Sequence, residues 1–310
     1  TNVDGCIHVD SLELMINSSP IISLTSSDYN GAGVSCNGFT DGSIDLTVSG
    51  GVLPYTYDWT GPSGFVSIDD SLNSLGSGTY SVTVVDFNNC QSLYSETLTE
   101  PIVYTSSAIL SAYNIYQISC NGLSDGSIDI TMSGGTGSTD YSWLGSNGFS
   151  SIAEDISGLP AGSYDLVSTD SNGCSALESI TLFEPEVLTS FDSTSDWNDF
   201  AIQCNGYSNG SITLDVNGGA VPYSYDIDGL FNASNVFTSL SAGIYTVRAV
   251  DVNGCITDQT VVLSEPTVLG GVLTSSDYNG EGVSCNGFTD GIIDLTVSGG
   301  VLPYTYDWTG

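Results

Sequence analysis

Hydrophobic and polar residues alternate in short runs along this chain. Every second position is hydrophobic in residues 44–48, 55–59 and 80–84, and a fourth run places Leu98 inward. A period of two residues is typical of a β-strand with one buried face. Gly-Gly and Asn-Asn pairs separate the runs as turns, and no helical period is sustained. Six or seven short strands in about 80 residues predict an immunoglobulin-like β-sandwich.

This pattern is repeated along the chain. A Cys-Asn-Gly segment occurs at nearly equal spacings, at Cys36, Cys120, Cys204 and Cys285. Each unit continues with a Leu-x-x-Gly-x-Tyr motif and a second cysteine, and a Glu-Pro pair places its proline eleven residues after that cysteine. The fold class predicted is all-β, with tandem immunoglobulin-like β-sandwich repeats of about 81–84 residues. The predicted units are repeat 1 (21–101), repeat 2 (102–185) and repeat 3 (186–266), between part-repeats at 1–20 and 267–310.

A longer period lies on top of this one. Residues 24–61 and 273–310 are identical at 36 of 38 positions and differ only at Ala32/Glu281 and Ser43/Ile292. Neighbouring repeats resemble each other much less, so the unit of duplication is a block of about three repeats, or 249 residues. Such near-identity indicates recent amplification within a very long repetitive protein, of which this chain is a piece.

Aromatic residues at fixed positions fit the predicted sandwich. The tyrosine of each Leu-x-x-Gly-x-Tyr motif opens a late strand, where its ring packs inward and its hydroxyl bonds back to the corner backbone. Three residues are placed to form this tyrosine corner: Tyr80, Tyr164 and Tyr245. The tryptophans of the Tyr-x-Tyr-x-Trp strand (Trp59, Trp143 and Trp308) are interpreted as core residues rather than as a platform for a ligand.

Charge excludes several classes of function. The chain has 36 acidic residues, one arginine (Arg248), no lysine and a formal net charge of −35. Nucleic-acid binding is excluded, because affinity for phosphate backbones comes from Lys and Arg. No apolar run approaches the roughly 18 residues that span a bilayer, so no membrane insertion is predicted. His8 is the only histidine, which leaves little catalytic equipment, and the chain is predicted not to be an enzyme.

The eight cysteines indicate an oxidising, extracellular compartment. Pairing within repeats gives Cys36–Cys90, Cys120–Cys174 and Cys204–Cys255, with partners of Cys6 and Cys285 outside the fragment. Pairing between repeats gives Cys6–Cys36, Cys90–Cys120, Cys174–Cys204 and Cys255–Cys285, all with the same spacing along the chain. The within-repeat scheme is favoured because both cysteines then belong to one folding unit, which the closed loop would stabilise by about 4 kcal/mol.

Calcium is the one cofactor that the sequence brings into consideration. Aspartates recur at two turns of the repeat, and oxygen ligands in loops suit Ca²⁺. The candidate residues are Asp41, Asp125 and Asp290 at one turn, and Asp86, Asp170 and Asp251 at the other. However, Asn209 replaces the aspartate in one repeat, and ordinary Asx-turn chemistry explains these residues without a metal. The sequence therefore predicts no cofactor, with calcium as the alternative.

The ordered motifs of each unit resemble a known family. They are Cys-Asn-Gly-x-x-Asp-Gly-Ser-Ile-Asp, Gly-Gly-x-x-Pro-Tyr-x-Tyr-x-Trp, Leu-x-x-Gly-x-Tyr, Asp-x-x-Gly-Cys and Glu-Pro. This order resembles the SprB-type repeat of giant cell-surface adhesins from gliding Bacteroidota, and the resemblance covers essentially the whole chain. It departs at Asp226-Ile227, where the tryptophan is missing, and in residues 7–20, which lack Glu-Pro.

The resemblance implies export by the type IX secretion system, display on the outer membrane, and a part in adhesion or gliding. Its expected partners are further copies of the repeat in the parent chain and the outer-membrane secretion and motility machinery; the sequence does not identify the adhesive ligand. Asp-Ser/Thr-apolar triplets carry O-glycans in this phylum, which points to Ser11 and Ser71.

The main hypothesis is a structural stalk segment. The alternatives are a polysaccharide-binding module and a self-assembling extracellular filament or sheath subunit.

Overall fold

The computed structural model describes residues 3–4 and 16–309. In these residues the regular structure consists of β-strands and two short 3-10 turns, Pro62–Gly64 and Ser146–Gly148. No helix in this part of the chain is long and apolar enough to cross a membrane. By its internal contacts the chain divides into two compact units. Unit 1 comprises Thr1–Ile109, Ile128–Ile156 and Ser163–Thr181, and unit 2 comprises Leu110–Ser127, Ser157–Gly162 and Leu182–Gly310.

Repeat 1 forms two antiparallel sheets. Its strands are β1 (Ile21–Ser26), β2 (Gly42–Ser49), β3 (Thr56–Thr60), β4 (Val66–Ser67), β5 (Ser71–Leu75), β6 (Gly78–Val85) and β7 (Gln91–Leu98). One sheet has the order β1-β2-β5 and the other β4-β3-β6-β7. A three-stranded and a four-stranded sheet of this kind make an immunoglobulin-like sandwich.

The later repeats have the same arrangement of strands. Repeat 2 has β8 (Thr105–Leu110), β9 (Gly126–Ser133), β10 (Thr139–Gly145), β11 (Ser150–Ser151), β12 (Ile156–Leu159), β13 (Gly162–Asp170) and β14 (Ser175–Leu182). Repeat 3 has β15 (Thr189–Thr194), β16 (Gly210–Asn217), β17 (Ser224–Ile227), β18 (Leu230–Asn232), β19 (Val236–Leu240), β20 (Gly243–Val250) and β21 (Ile256–Leu263). Each again forms one three-stranded and one four-stranded sheet. The predicted fold class is confirmed.

The last described segment forms a single sheet. It contains β22 (Gly270–Ser275) and β23 (Ile293–Ser298), which pair antiparallel. With only two strands described there, the apolar side chains of this segment stay exposed, and 57% of Trp308 is accessible. The strand that pairs with the Trp59 strand in repeat 1 has no counterpart in residues 267–309, so the place of Trp308 in a core stays a prediction.

Alternating apolar residues fill the interior of repeat 1, as predicted. The completely buried side chains are those of Ile44, Trp59, Val82 and Val84, and Leu98 packs in the same cluster. The indole Nε1 of Trp59 donates a hydrogen bond to the carbonyl oxygen of Asp69 at 2.9 Å, so its one polar atom is satisfied. Trp143 is equally buried and donates to Ala153 at 3.0 Å. The core of repeat 3 is built from the same kind of residues, around Ile212, Leu214, Phe237 and Val247.

Two of the three tyrosines bond their hydroxyl back to the corner backbone, and the third is buried at the same position. The hydroxyl of Tyr80 donates to the carbonyl of Gly76 at 3.1 Å, and that of Tyr245 donates to Ser241 at 3.0 Å. Tyr164 is completely buried, and its ring meets Phe149 edge-on with centroids 5.4 Å apart. These tyrosines fix the start of the strand that leads to the second cysteine of each repeat.

Candidate functional site: the junction between successive repeats

The first cysteine of each repeat lies in a loop that hydrogen bonds fix locally. In repeat 1 this loop connects β1 to β2. The hydroxyl of Ser27 donates to Gly33 O at 2.6 Å and accepts from Ser43 N at 2.9 Å. Ser35 N donates to the Oδ1 of Asp41 at 3.0 Å. We call residues 27–43 and their counterparts in the other repeats the cysteine loop.

The aspartate of the cysteine loop acts as a hydrogen-bond acceptor. Burial opposes ionisation of Asp41, but hydrogen bonds from Ser35 outweigh it and hold the pKa of this carboxyl below its ordinary value. Asp125 and Asp290 accept the equivalent backbone bonds at 3.1 Å. Asn209 accepts from Gln203 N at 3.2 Å. An amide therefore keeps the backbone bond, while its Nδ2 donates to Gln203 Oε1 at 3.1 Å, so hydrogen bonding alone explains this position.

The Glu-Pro pair holds the cysteine loop against the end of the same repeat. Asn37 donates from Nδ2 to the carbonyl of Pro101 at 3.0 Å, and Gly38 N donates to Oε2 of Glu100 at 2.8 Å. The same two bonds recur in repeats 2 and 3 at 2.6–3.0 Å, through the pairs Asn121/Pro185, Gly122/Glu184, Asn205/Pro266 and Gly206/Glu265. Cys-Asn-Gly and Glu-Pro therefore recur together because they bind each other.

The residue after the proline is bonded to the next repeat. Gly135 N donates to Ile102 O at 3.1 Å, one residue beyond Pro101. Close approach explains the Gly-Gly motif, since Gly134 has φ +74° and a Cβ there would lie 2.0 Å from Val103 O. In unit 2, Gly219 N makes the same bond to Glu186 O at 2.9 Å. In the linker between repeats, the carbonyl of Pro101 is thus bonded to the preceding repeat, and the carbonyl of Ile102 is bonded to the following repeat.

The second cysteine of each repeat lies in a turn built around a buried aspartate. Asp170 accepts hydrogen bonds at Oδ1 from the backbone N–H groups of Asn172 (2.9 Å) and Cys174 (2.8 Å), and at Oδ2 from Thr136 N (2.8 Å). Burial opposes its ionisation, but these donors outweigh burial and lower the pKa of Asp170. Asp86 and Asp251 accept the same set of bonds. We call this Asp-x-Asn-x-Cys segment the cysteine turn.

A disulfide joins the cysteine loop of repeat 1 to the cysteine turn of repeat 2, within unit 1. Cys36 and Cys174 are bonded across 138 positions, their Cα atoms are 5.6 Å apart, and both side chains are buried. Asn172 inserts beside the disulfide and donates from Nδ2 to the carbonyls of Tyr29 (3.1 Å) and Ser35 (3.2 Å). Covalent and polar contacts therefore fasten the same two segments.

Repeats 2 and 3 are joined in the same way, within unit 2. Cys120 and Cys255 are bonded across 135 positions, with Cα atoms 5.7 Å apart. Asn253 donates to the carbonyls of Ser119 at 3.0 Å and Tyr113 at 3.5 Å. Because Asn253 stands where Asn172 stands in repeat 2, the junction follows a rule: the first cysteine of one repeat pairs with the second cysteine of the next.

This rule overturns both pairing schemes that the sequence offered. The predicted bonds Cys36–Cys90, Cys120–Cys174 and Cys204–Cys255 are wrong, as are the equally spaced between-repeat alternatives for the cysteines that the structure describes. Cys90, Cys204 and Cys285 are free thiols in the structure. Cys6 lies outside the described residues, and the pairing of Cys285 beyond the fragment stays a prediction.

The physical reason is that the two cysteines of one repeat lie at opposite ends of its sandwich. The cysteine loop packs where the last strand ends, since Gly33 N donates to Thr99 O at 2.8 Å. The cysteine turn of the same repeat lies where the chain enters, since Phe87 N donates to Val52 O at 2.9 Å and Ser92 Oγ to Pro20 O. Cys36 and Cys90 therefore cannot meet, while the next repeat brings its turn to the loop.

The sequence reasoning missed the asparagines of the cysteine turn. Asn88, Asn172 and Asn253 each stand two residues before the second cysteine, and this constant position was the available signal.

Other predicted site residues have less defined roles. Among the described residues, no group of three or more His, Cys, Asp or Glu side chains is placed to hold a metal ion. The carboxylates of Asp86, Asp170 and Asp251 are occupied by N–H donors, so calcium binding stays only a prediction. Ser11 lies outside the described residues. Ser71 is half-buried in β5, and its glycosylation also stays a prediction.

One known family matches part of every repeat. The family model described as "SprB repeat" matches residues 33–64, 112–148, 202–230 and 281–310, and each of these segments begins within a cysteine loop. No curated protein matches the chain.

Two solved structures show a distant likeness to the chain. One concerns the host cell surface retention of a 1.5-MDa bacterial ice-binding adhesin (13% identity, TM-score 0.39, 81% of this chain and 98% of that one). Another is a tetra-tandem repeat in the extending region of a large adhesion protein (14% identity, TM-score 0.28, 90% and 88%). At these TM-scores, neither likeness bears on function.

Proposed function

Four segments of the chain match the SprB repeat, and from that premise we propose that the chain is a load-bearing stalk segment of a large cell-surface adhesin. In this role it is not an enzyme; it holds an adhesive part of the parent protein away from the cell in the extracellular space. Secretion and motility machinery of the outer membrane would export and anchor that parent protein, and gliding would apply the load.

The observation that carries this proposal is the junction. Gly- and Ser-rich linkers leave neighbouring domains free to reorient. Here, consecutive linker carbonyls are bonded to the preceding and following repeats, at Pro101 and Ile102. A disulfide and an asparagine fasten the same two repeats a second and third time. A binding module has no need of three fastenings, whereas a segment under tension does.

The disulfides also determine how far the chain can be stretched. Cys120 lies inside the span closed by Cys36 and Cys174, so the two disulfide spans overlap. The shortest covalent path from Cys36 to Cys255 crosses both bonds and follows the backbone only between Cys120 and Cys174. While both disulfides are intact, the backbone from Cys36 to Cys120 and from Cys174 to Cys255 therefore cannot be pulled out to its full length. At about 3.3–3.6 Å per extended residue, these two stretches of about 165 residues in total correspond to about 540–590 Å.

Charge and burial fit a stalk better than the other two functions. A formal charge of −35 keeps neighbouring chains apart and soluble, which disfavours a self-assembling sheath. Binding of polysaccharide through the tryptophans is disfavoured, because Trp59 and Trp143 are completely buried and repeat 3 has no equivalent tryptophan. The polysaccharide-binding module is therefore the second candidate and not the first.

Single-molecule stretching tests the proposal. The chain is pulled from its two ends until every repeat unfolds, with and without a reductant, and the total length released is measured. We expect reduction to add about 540–590 Å. The matched control is the double variant Cys204→Ser/Cys285→Ser, which removes free thiols only and should release the same length as the unmodified chain.

Equal released lengths with and without reductant would contradict the load-bearing function. A separate assay addresses the polysaccharide-binding alternative. In this assay the purified chain is applied to polysaccharide-coated surfaces. Saturable binding, abolished by substitution of exposed aromatics and retained after reduction, would favour the binding module instead.

A further inference from the structure

The cysteine loop of repeat 3 has the complete scaffold of the two occupied loops. Ser195 donates to Ala201 O at 2.7 Å and accepts from Ser211 N at 2.9 Å. Gln203 N is held by Asn209, and Asn205 is held by Pro266 O at 3.0 Å. These bonds match those of the loops around Cys36 and Cys120 one for one. The loop is thus preformed although no cysteine turn of the described chain lies against it.

The same loop is uncovered where the occupied loops are buried. Cys36 and Ser35 are 5% and 6% exposed, whereas Cys204 and Gln203 belong to the exposed residues. A cavity of about 640 Å³ opens beside them, lined by Trp197, Cys204, Asn205, residues 266–269 and residues 300–303. Beside the disulfide of Cys36, in unit 1, only about 250 Å³ remains. The larger volume beside Cys204 leaves room for a turn.

We propose that the Cys204 loop is the docking site for the cysteine turn of a following repeat in the same polypeptide, and that Cys204 forms a disulfide with the cysteine of that turn. The carbonyls of Trp197 and Gln203 receive its asparagine, as those of Tyr29 and Ser35 receive Asn172. This inference rests on the proposed function, because it extends the same junction to the next position along the stalk.

The spacing of the repeats supports this occupant. Residues 273–310 repeat residues 24–61 at an offset of 249 positions. A counterpart of Cys90 at the same offset would follow Cys204 by 135 positions, the separation that the structure shows between Cys120 and Cys255. The turn at Asp86–Cys90 has the required sequence, with Asn88 in the place of Asn172, and Asp86 already organises it at 2.8–3.0 Å. A copy of this turn would therefore arrive preformed.

Closure of the bond requires an oxidant. Two thiols give one disulfide, two protons and two electrons, and a small disulfide such as oxidised glutathione accepts the electrons and protons as it becomes two thiols. The reaction runs by thiolate attack through a mixed disulfide. The exposed thiol of Cys204 is accessible to such a reagent, and docking of the turn then brings the resolving cysteine to it.

Peptide mapping of the full-length protein from the cell surface, without reduction, tests the inference. Cleavage at Asp and Glu places each of the eight cysteines on its own peptide. We expect the Cys204 peptide in a pair with an Asp-x-Asn-x-Cys peptide of the following repeat, lighter by two hydrogens than the sum of the reduced peptides. In the Cys204→Ser variant, that partner cysteine should become open to alkylation, while Cys36, Cys174, Cys120 and Cys255 stay protected.

Each other result overturns the inference. A free Cys204 thiol, or a bond from Cys204 to Cys255 or Cys285, would show that the loop does not receive the following turn. A linked Cys204 peptide recovered only from a covalent dimer that reduction separates would show that the occupant is another chain. If one of these results is found together with the Cys36–Cys174 and Cys120–Cys255 bonds, the junctions of the proposed stalk are retained and only the inference about Cys204 fails. Absence of those two bonds would instead remove the basis of the stalk itself.

Discussion

The interior of a repeat and the junction between repeats are held by different kinds of interaction. Inside repeat 1, side chains such as Ile44, Trp59 and Val82 exclude water and leave almost no polar atoms to satisfy. At the junction, Asn172 donates to backbone carbonyls of repeat 1, Asp170 organises the turn that carries Asn172, and a disulfide links the same two segments. Each sandwich therefore gains stability by burial, which is not directional, whereas the junction gains a fixed geometry from directional and covalent bonds.

Removal of the junction disulfide should have the largest effect. In the double variant Cys36→Ser/Cys174→Ser, the chain-entropy model for a closed span of 138 residues predicts a loss of about 5 kcal/mol in the free energy of unfolding. Denaturant unfolding should show repeats 1 and 2 melting at lower denaturant. The free-thiol variant Cys204→Ser is the matched control and should unfold like the original. An unchanged midpoint for the double variant would mean that the disulfide adds nothing to the junction.

Truncation of the core should come next. Trp59→Ala removes a completely buried indole and should cost about 3–5 kcal/mol. The chain provides its own control, because Trp308 lies at the corresponding position of the repeated block and is 57% exposed. Trp308→Ala should change the unfolding free energy by less than about 0.5 kcal/mol. Equal effects of the two substitutions, measured by chemical denaturation, would contradict the assignment of Trp59 to the core.

Loss of the docked asparagine should have a moderate effect confined to the junction. Asn172→Ala removes the donor to Tyr29 O and Ser35 O and should cost about 1–2 kcal/mol. Asn88→Ala is the matched control, because Asn88 occupies the same place in a turn on which no loop of the described chain is docked. Hydrogen exchange at residues 29–36 should accelerate only in the first variant. Acceleration in both variants, or in neither, would show that Asn172 does not hold the loop.

Acid should weaken the junction before the core. The pKa of Asp170 is lower in the folded state than in the unfolded chain, so its contribution is complete above the ordinary pKa of 3.8 and is lost as the pH falls below that value. Thermal melts between pH 5 and pH 2 should lose less stability in Asp170→Asn than in the original chain. Parallel losses in the two proteins would show that Asp170 is not one of the groups responsible.

The smallest effect is expected at the loop aspartate. Asp41→Asn should leave the melting temperature nearly unchanged, because Asn209 makes the equivalent hydrogen bond in repeat 3. Addition of Ca²⁺ or of a chelator should likewise change little in both the variant and the original. A rise in melting temperature with Ca²⁺ that Asp41→Asn abolishes would instead establish a metal site at this loop.

The apolar interior could be predicted from the sequence and the junction could not. The period of two residues assigned Ile44 and Val82 to the core because alternation reports local burial directly. The pairing of Cys36 depended on which end of the sandwich each cysteine occupies, and a pattern within one strand carries no information on that. Strand order would have placed the loop after β1 and the turn before β7 at opposite ends. The role of Asn172 needed contact across 137 and 143 positions.

Disulfide mapping of the purified, oxidised chain tests the central claim most directly. Digestion at Asp and Glu under non-reducing conditions should yield two linked pairs, Cys36 with Cys174 and Cys120 with Cys255. In this digest of residues 1–310, which do not include the turn proposed to bind Cys204, both Cys204 and Cys285 should be recovered with the alkylating label. Recovery of Cys36 with Cys90, or of Cys90 with Cys120, would contradict the account, because the junctions would then not be closed from each repeat to the next.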